Sequence, residues 1–247
     1  MKILALDSSG LVASVAVVSD DNLIGEYTIN YKKTHSQTLL PMLDEVAKMT
    51  ELDLKTIDFI AVSAGPGSFT GLRIGSATAK GLGLALDIPL AAVPTVDALA
   101  YNLYGCEQLI CPMMDARRKQ VYTGIYRFAD HELVTVSRQK AIAVEELIRE
   151  LNALGEAVIF LGDGVTVYQE MLKENMQVPY SFAPAHLNKQ RAGAVGALAE
   201  KYYREGIPPG SRTVQPECYS VEIRQRNRMA RSGGHCTTYR SCRSGRT

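Results

Sequence analysis

No two cysteines in this sequence have the spacing of a metal knuckle or a redox couple. Cys106 and Cys111 lie in the body, Cys218, Cys236 and Cys242 lie in the last thirty residues, and no C-x-x-C occurs. Reduced, unlinked thiols are therefore expected. The histidines are just as scattered: none of His35, His131, His186 and His235 is followed by a second His four residues on. That removes the paired ligand of a helical metal site. No G-x-S-x-G elbow or Cys–His arrangement is present either. No apolar run approaches the ~18 residues of a membrane span. The opening MKILALDSS has too short an apolar core for a secretory leader, which points to the cytoplasm and away from a membrane. A basic face is missing as well. Residues 218–247 hold seven Arg against one Glu, which leaves −5 of the net +1 on residues 1–217. A mildly acidic body does not hold nucleic acid by charge alone.

What is present is a soluble, globular composition, 46% apolar and 21% charged, on a chain long enough for one large domain or two smaller ones. The first thirty residues give three strand signals, KILALDSS, VASVAVVSD and LIGEYTIN, joined by short turns as in an antiparallel meander. A helix follows, with Leu39, Leu40, Leu43 and Val46 at helical spacing and Thr34 or Ser36 as its cap. DFIAVSAG is a buried strand running into GPGSFTGLRIG, and a second helix, a short strand LAAV and a helix behind Pro94 complete the unit. The pattern then restarts at LICPMMDARRKQVYTGIYRF, ELVTVSR, VEELIREL, AVIFLGDG and VYQEMLKEN, and ends with the helix AGAVGALAEKYYREG. An Asp stands near the end of the first strand of each unit, at Asp7 and Asp115. The expectation is an α/β chain of two duplicated domains, residues 1–105 and 106–217. The tail 218–247, with few large apolar residues, has the composition of a segment that cannot form a core.

The stretch GPGSFTGLRIG is the strongest local signal. It is one residue off the dinucleotide fingerprint and lacks the Gly-Lys-Ser/Thr ending of a P-loop. Gly71, Gly75, Ala79 and Gly83 recur every four residues and so share one helix face. Each interior Gly costs about 0.5–1 kcal/mol relative to Ala, which calls for a compensating close approach of another backbone. That backbone is either the domain's own sheet or a partner helix. Asp7 with Ser8, Asp115 and Asp163 stand at strand ends where some folds hold a nucleotide. Asp163 also reads as an N-cap. The three cations Arg117, Arg118 and Lys119 read as a solvated hairpin turn in preference to a phosphate grip.

Taken in order, LALDSS, HSQTLLPMLDEV, GPGSFTGLRIGSATAKGLGLAL, PTVDALA, DARRKQVY and LGDG resemble the bacterial TsaB (YeaZ) family of tRNA threonylcarbamoyladenosine biosynthesis proteins. The resemblance covers residues 1 to about 217 and rests chiefly on the long glycine motif. It implies two duplicated domains of the actin/sugar-kinase/chaperone ATPase-like (RNase H-like) fold. It implies a non-catalytic subunit of the complex that places a threonylcarbamoyl group on the adenosine beside the anticodon. The catalytic relative carries His-x-x-x-His on its first helix, whereas here the sequence reads His35-Ser-Gln-Thr-Leu39, so no metal is expected. The family docks its partner through the first two helices. That favours an intermolecular seam built from Leu39, Leu43, Gly71, Leu72, Gly75, Ala79 and Gly83.

The implied partners are the catalytic threonylcarbamoyltransferase paralogue, as a heterodimer, and an associated ATPase subunit. tRNA would be met only through the complex, and a homodimer is the alternative for the chain alone. No cofactor is expected on this chain by itself, with ATP or ADP at a subunit junction. Asp7, Ser8, Asp115 and Asp163 are the loop residues such a nucleotide would meet. The competing expectation is an ATP-dependent carbamoyl- or phosphotransferase acting alone through those same four residues. Beyond Pro216 the sequence departs from the family's short apolar Tyr-Leu-Arg stretch.

Overall fold

The computed structural model describes residues 1–31, 34–207 and 209–210; the tail discussed above lies outside the described residues. Two five-stranded sheets repeat one plan. In the first, β1 (Lys2–Asp7), β2 (Ala13–Ser19) and β3 (Asn22–Ile29) form the meander, followed by α1 (His35–Met49), β4 (Phe59–Ser63), α2 (Phe69–Leu86), β5 (Leu90–Val93) and α3 (Thr95–Tyr101). In the second, β6 (Leu109–Asp115), β7 (Gln120–Ala129) and β8 (Glu132–Ala143) precede α4 (Val144–Leu154), β9 (Val158–Leu161), α5 (Asp163–Asn175), β10 (Tyr180–Phe182) and α6 (Ala192–Arg204). The strand orders β3-β2-β1-β4-β5 and β8-β7-β6-β9-β10 correspond position by position. In both sheets the first strand pairs antiparallel with the second and parallel with the fourth. This is the duplicated ATPase-like α/β fold.

The central strands read as unbroken apolar runs because both of their faces are covered. Along β1, Leu4 and Leu6 pack toward α1 and α2, while Ile3 and Ala5 pack toward α6. Along β6, Leu109, Cys111 and Met113 face α4 and α5, while Ile110 and Met114 face α3. The period-two alternation of a strand thus serves two helical layers at once. The third helix of each unit crosses over. α3 lies on β6 and β7 of the second sheet, and α6 lies on β1 and β2 of the first. Ala192, Val195, Leu198 and Ala199 supply the apolar stripe of α6. A partly buried polar clamp joins the exchanged helices: Tyr126 Oη on β7 donates to Asp97 Oδ1 on α3 at 2.6 Å, and Tyr202 on α6 bonds the same carboxylate.

Two elements differ from the sequence reading. β10 is a strand that the pattern did not reveal, and β8 runs on to Ala143 because Gln120 at the start of β7 pairs with it. Asp163 is also not a cap: Gly162 holds that position and Asp163 is the first helical residue, with no side-chain capping bond.

Candidate functional site

The glycine stripe meets its own domain. A Cβ on Gly71 would lie 2.0 Å from the Ser8 carbonyl oxygen, and one on Gly75 would lie 2.4 Å from Ser8 Oγ. A Cβ on Gly83 would reach Leu90 and the Ile88 carbonyl at about 3 Å. Ala79 is fully buried, and Leu39, Leu43 and Leu72 are buried beside it. The turn after β1 is pressed into α2 by this absence of side chains. Ser8 Oγ donates to the Gly71 carbonyl at 2.9 Å, and the Ser68 amide donates to the Ser9 carbonyl at 2.6 Å. All seven residues expected at an intermolecular seam therefore face inward, because the backbone that the stripe accommodates is the turn Ser8–Ser9 and the start of β5.

Other residues make the outward face of the same two helices. α1 exposes Leu40, and α2 exposes Leu84, which is 70% accessible. Ala77, Gly81 and Ala85 are exposed beside Leu84 along α2, and nothing lies within 4 Å of where a Gly81 Cβ would stand. Gly81 is thus an interior helical glycine whose Cβ position has no neighbour outside its own helix among the described residues.

The expected nucleotide loops divide into two groups. Asp7 is 1% accessible. Its carboxylate accepts from the Ser9 amide at 2.8 Å, Ser9 Oγ at 2.6 Å and Ser63 Oγ at 2.7 Å. Burial pushes its carboxyl above the ordinary range despite these bonds. Ser8 is equally enclosed. Neither side chain reaches open space in the chain by itself. Their hydrogen-bonding capacity is already spent on Ser9, Ser63 and Gly71. Asp115 and Asp163, in contrast, line a cleft of about 830 Å³ between the two units, with Gly10, Ser68, Phe69, Arg73, Arg117 and Arg118.

Asp115 Oδ1 accepts from the Arg117 amide at 2.9 Å and from Tyr168 Oη at 3.0 Å. Burial raises the Asp163 carboxyl, opposed by Lys189, and its Oδ1 is enclosed without a hydrogen-bond partner. The hairpin reading of Arg117–Lys119 holds in shape: all three have positive φ, at 64°, 52° and 59°. Arg117 and Arg118 nevertheless line the cleft, opposite Arg73, a residue that the sequence did not single out.

His35, at the first position of α1, commits Nε2 to the Gly10 carbonyl at 2.9 Å. The position one turn later is Leu39, sunk in the core beside Leu4 and Met42. Among the described residues no three His, Cys, Asp or Glu side chains gather as a metal site.

The fold and these loops place the chain in the actin/sugar-kinase/chaperone ATPase-like class. The family model described as TsaD, tRNA N6-adenosine threonylcarbamoyltransferase, matches residues 22–222. TsaB of Bacillus subtilis (strain 168) is 34% identical over 174 residues, 70% of this chain and 76% of the relative. TsaB of Haemophilus influenzae is 35% identical over 192 residues, 71% of this chain and 78% of the relative. Among solved structures, YeaZ from Pseudomonas aeruginosa superposes with a TM-score of 0.68 at 27% identity, covering 83% of this chain and 93% of that one. The chain belongs to the TsaB (YeaZ) family of tRNA threonylcarbamoyladenosine biosynthesis proteins.

Proposed function

We propose that this chain is a non-catalytic subunit of the machinery that transfers a threonylcarbamoyl group to the adenosine beside the anticodon of tRNA. The observation that carries the reading is the exposed side of α2, where Leu84 is accessible one turn from the open Gly81 position, with Leu40 exposed on the contacting helix α1. Apolar side chains beside a helical glycine that packs on nothing else among the described residues suit close approach of a partner helix. The occupant we assign is the catalytic threonylcarbamoyltransferase paralogue, with a second copy of this chain as its substitute when the paralogue is absent. An ATPase subunit completes the assembly, and tRNA is met through the complex in the cytoplasm.

The enclosure of Asp7 and Ser8 and the burial of Leu39 at the second ligand position support a supporting role over a catalytic one. They also weigh against the solitary ATP-dependent transferase, which needs Asp7 free to meet a metal–nucleotide. ATP or ADP is assigned to a subunit junction of the complex. Depleting the protein and analysing the nucleosides of total tRNA tests the reading. Loss of threonylcarbamoyladenosine that returns with the restored gene is expected, and an unchanged level overturns it.

A further inference from the structure

Where β6 begins, at the far end of that strand from Asp115 and the cleft, four rings form an exposed aromatic patch. Tyr104 follows α3 and is 55% accessible. Its ring centroid lies 5.7 Å from that of Tyr101 and 5.1 Å from that of Phe128, both half-buried. His131, exposed in the turn between β7 and β8, stacks on Tyr104 at 6.1 Å with the ring planes 19° apart. Two carboxylates border the rings. Asp130 precedes His131 in the turn, and Glu107 stands three residues after Tyr104. Both are exposed, and neither is in an ion pair among the described residues. Lys201, the α6 ammonium close to Tyr101, is already shared by Glu132 and Glu205. Open rings beside unpaired carboxylates suit a guanidinium, which lies flat on an aromatic face and pairs with a carboxylate through two N–H donors.

The chain itself supplies guanidiniums. Residues 218–247 hold seven Arg against one Glu, whereas residues 1–217 carry −5. The described chain also leads toward the patch. The last turn of α6 lies between two hairpins, with Arg204 paired to Asp21 in the turn between β2 and β3 and Lys201 paired to Glu132 at the start of β8. Just beyond, Gly210 bridges to Leu90 at the start of β5. Residues 211–217 then separate Gly210 from the arginine-rich segment, a span of up to about 23 Å when extended.

We propose that the arginine-rich segment 218–247 docks on this patch of its own chain, its guanidiniums lying on the Tyr104 and His131 rings and pairing with Asp130 and Glu107. Tethering favours the contact, because a segment joined by a short linker meets its site at a high effective concentration. The inference stands apart from the partner assigned to α1 and α2, since it concerns the isolated chain and other elements.

The test is limited trypsin digestion of the isolated full chain, with cleavage after Arg224, Arg226 and Arg228 followed by mass spectrometry. Y104A should speed that cleavage by about fivefold or more through loss of the cation–π contact. D130N/E107Q should act in the same direction, and it decides the matter should Y104A fold poorly. Both of its side chains are exposed, and Asn tolerates the positive φ of 51° at position 130. High salt should speed cleavage of the parent by screening the same pairs. Y31A, at an exposed tyrosine outside the patch, should leave the rate unchanged. The proposal falls if the parent is cleaved as fast as both variants. It also falls if protection grows with protein concentration, which would put the segment on a second copy. Equal cleavage in all chains, with a labelled tRNA bound equally tightly by all, would instead make the segment a nucleic-acid arm.

Discussion

Gly75 and Gly81 lie six residues apart on one helix and should respond to substitution with opposite signs. At Gly75 any side chain collides with Ser8 Oγ, whose bond to the Gly71 carbonyl holds the turn after β1. Gly75→Leu should destabilise the isolated chain by at least the ~1–3 kcal/mol of ordinary overpacking. At Gly81 nothing among the described residues stands in the way of a Cβ, so Gly81→Ala should stabilise by about 0.5–1 kcal/mol through helix propensity alone. Urea unfolding followed by circular dichroism reads both changes. A folded, fully stable Gly75→Leu would contradict the packing described here.

Asp97 gives a pH signature. Burial raises its carboxyl above the ordinary 3.8 while the bonds from Tyr126 and Tyr202 oppose the rise. The folded state therefore binds the proton more tightly than the unfolded chain, and this group's contribution to stability falls as pH rises from about 3.8 toward the raised value. Asp97→Asn removes the titration, so the decline of stability across that window should flatten relative to the parent chain. Asp7 and Asp163 shift in the same direction, so the slope is reduced without vanishing. An unaltered slope in urea titrations across the window would show that Asp97 is not held as described.

At the scale of elements, the outward face of α1 and α2 makes the sharpest prediction. Leu84 is exposed in the isolated chain, so Leu84→Asp should leave its circular dichroism and melting temperature close to those of the parent. Association with the catalytic paralogue should weaken by tenfold or more, since a carboxylate at the middle of an apolar contact is buried without a partner. Full-strength capture by the folded variant would remove this face from the assembly.

The sequence made α1 and α2 legible as amphipathic helices and the glycine stripe legible as a place of close approach. It could not say what approaches, because a spacing of four residues defines a face and not its neighbour. The turn Ser8–Ser9 comes from more than sixty residues earlier in the chain, and only the pairing of β1 with β4 brings it there. The hairpin at Arg117–Lys119 was similarly legible as a turn, whereas its position across from Arg73 depends on how the two units face each other. β10 left no pattern, since three half-buried residues, Tyr180–Phe182, cannot display a period; pairing with β9 alone defines them.

Across the whole molecule, the exchange of α3 and α6 makes each sheet depend on a helix from the other unit. Ile3, Ala5 and Ala16 of the first sheet are covered by Val195, Leu198 and their neighbours, which belong to the second repeat. Leu198→Ala should cost about 2–5 kcal/mol, the range for a buried large-to-small change. That loss should appear in calorimetry as one transition shifted downward and not as the melting of one unit alone. Two separated transitions would mean that the units fold independently despite the crossed helices.

The central claim is that this chain enables transfer without performing it. The direct measurement is incorporation of labelled threonylcarbamoyl into tRNA by the catalytic paralogue and its ATPase subunit, with and without this chain. The account predicts no incorporation by this chain alone, incorporation when it joins the other subunits, and little when Leu84→Asp replaces it. Incorporation by the isolated chain, or undiminished incorporation with the folded Leu84→Asp variant, would contradict it.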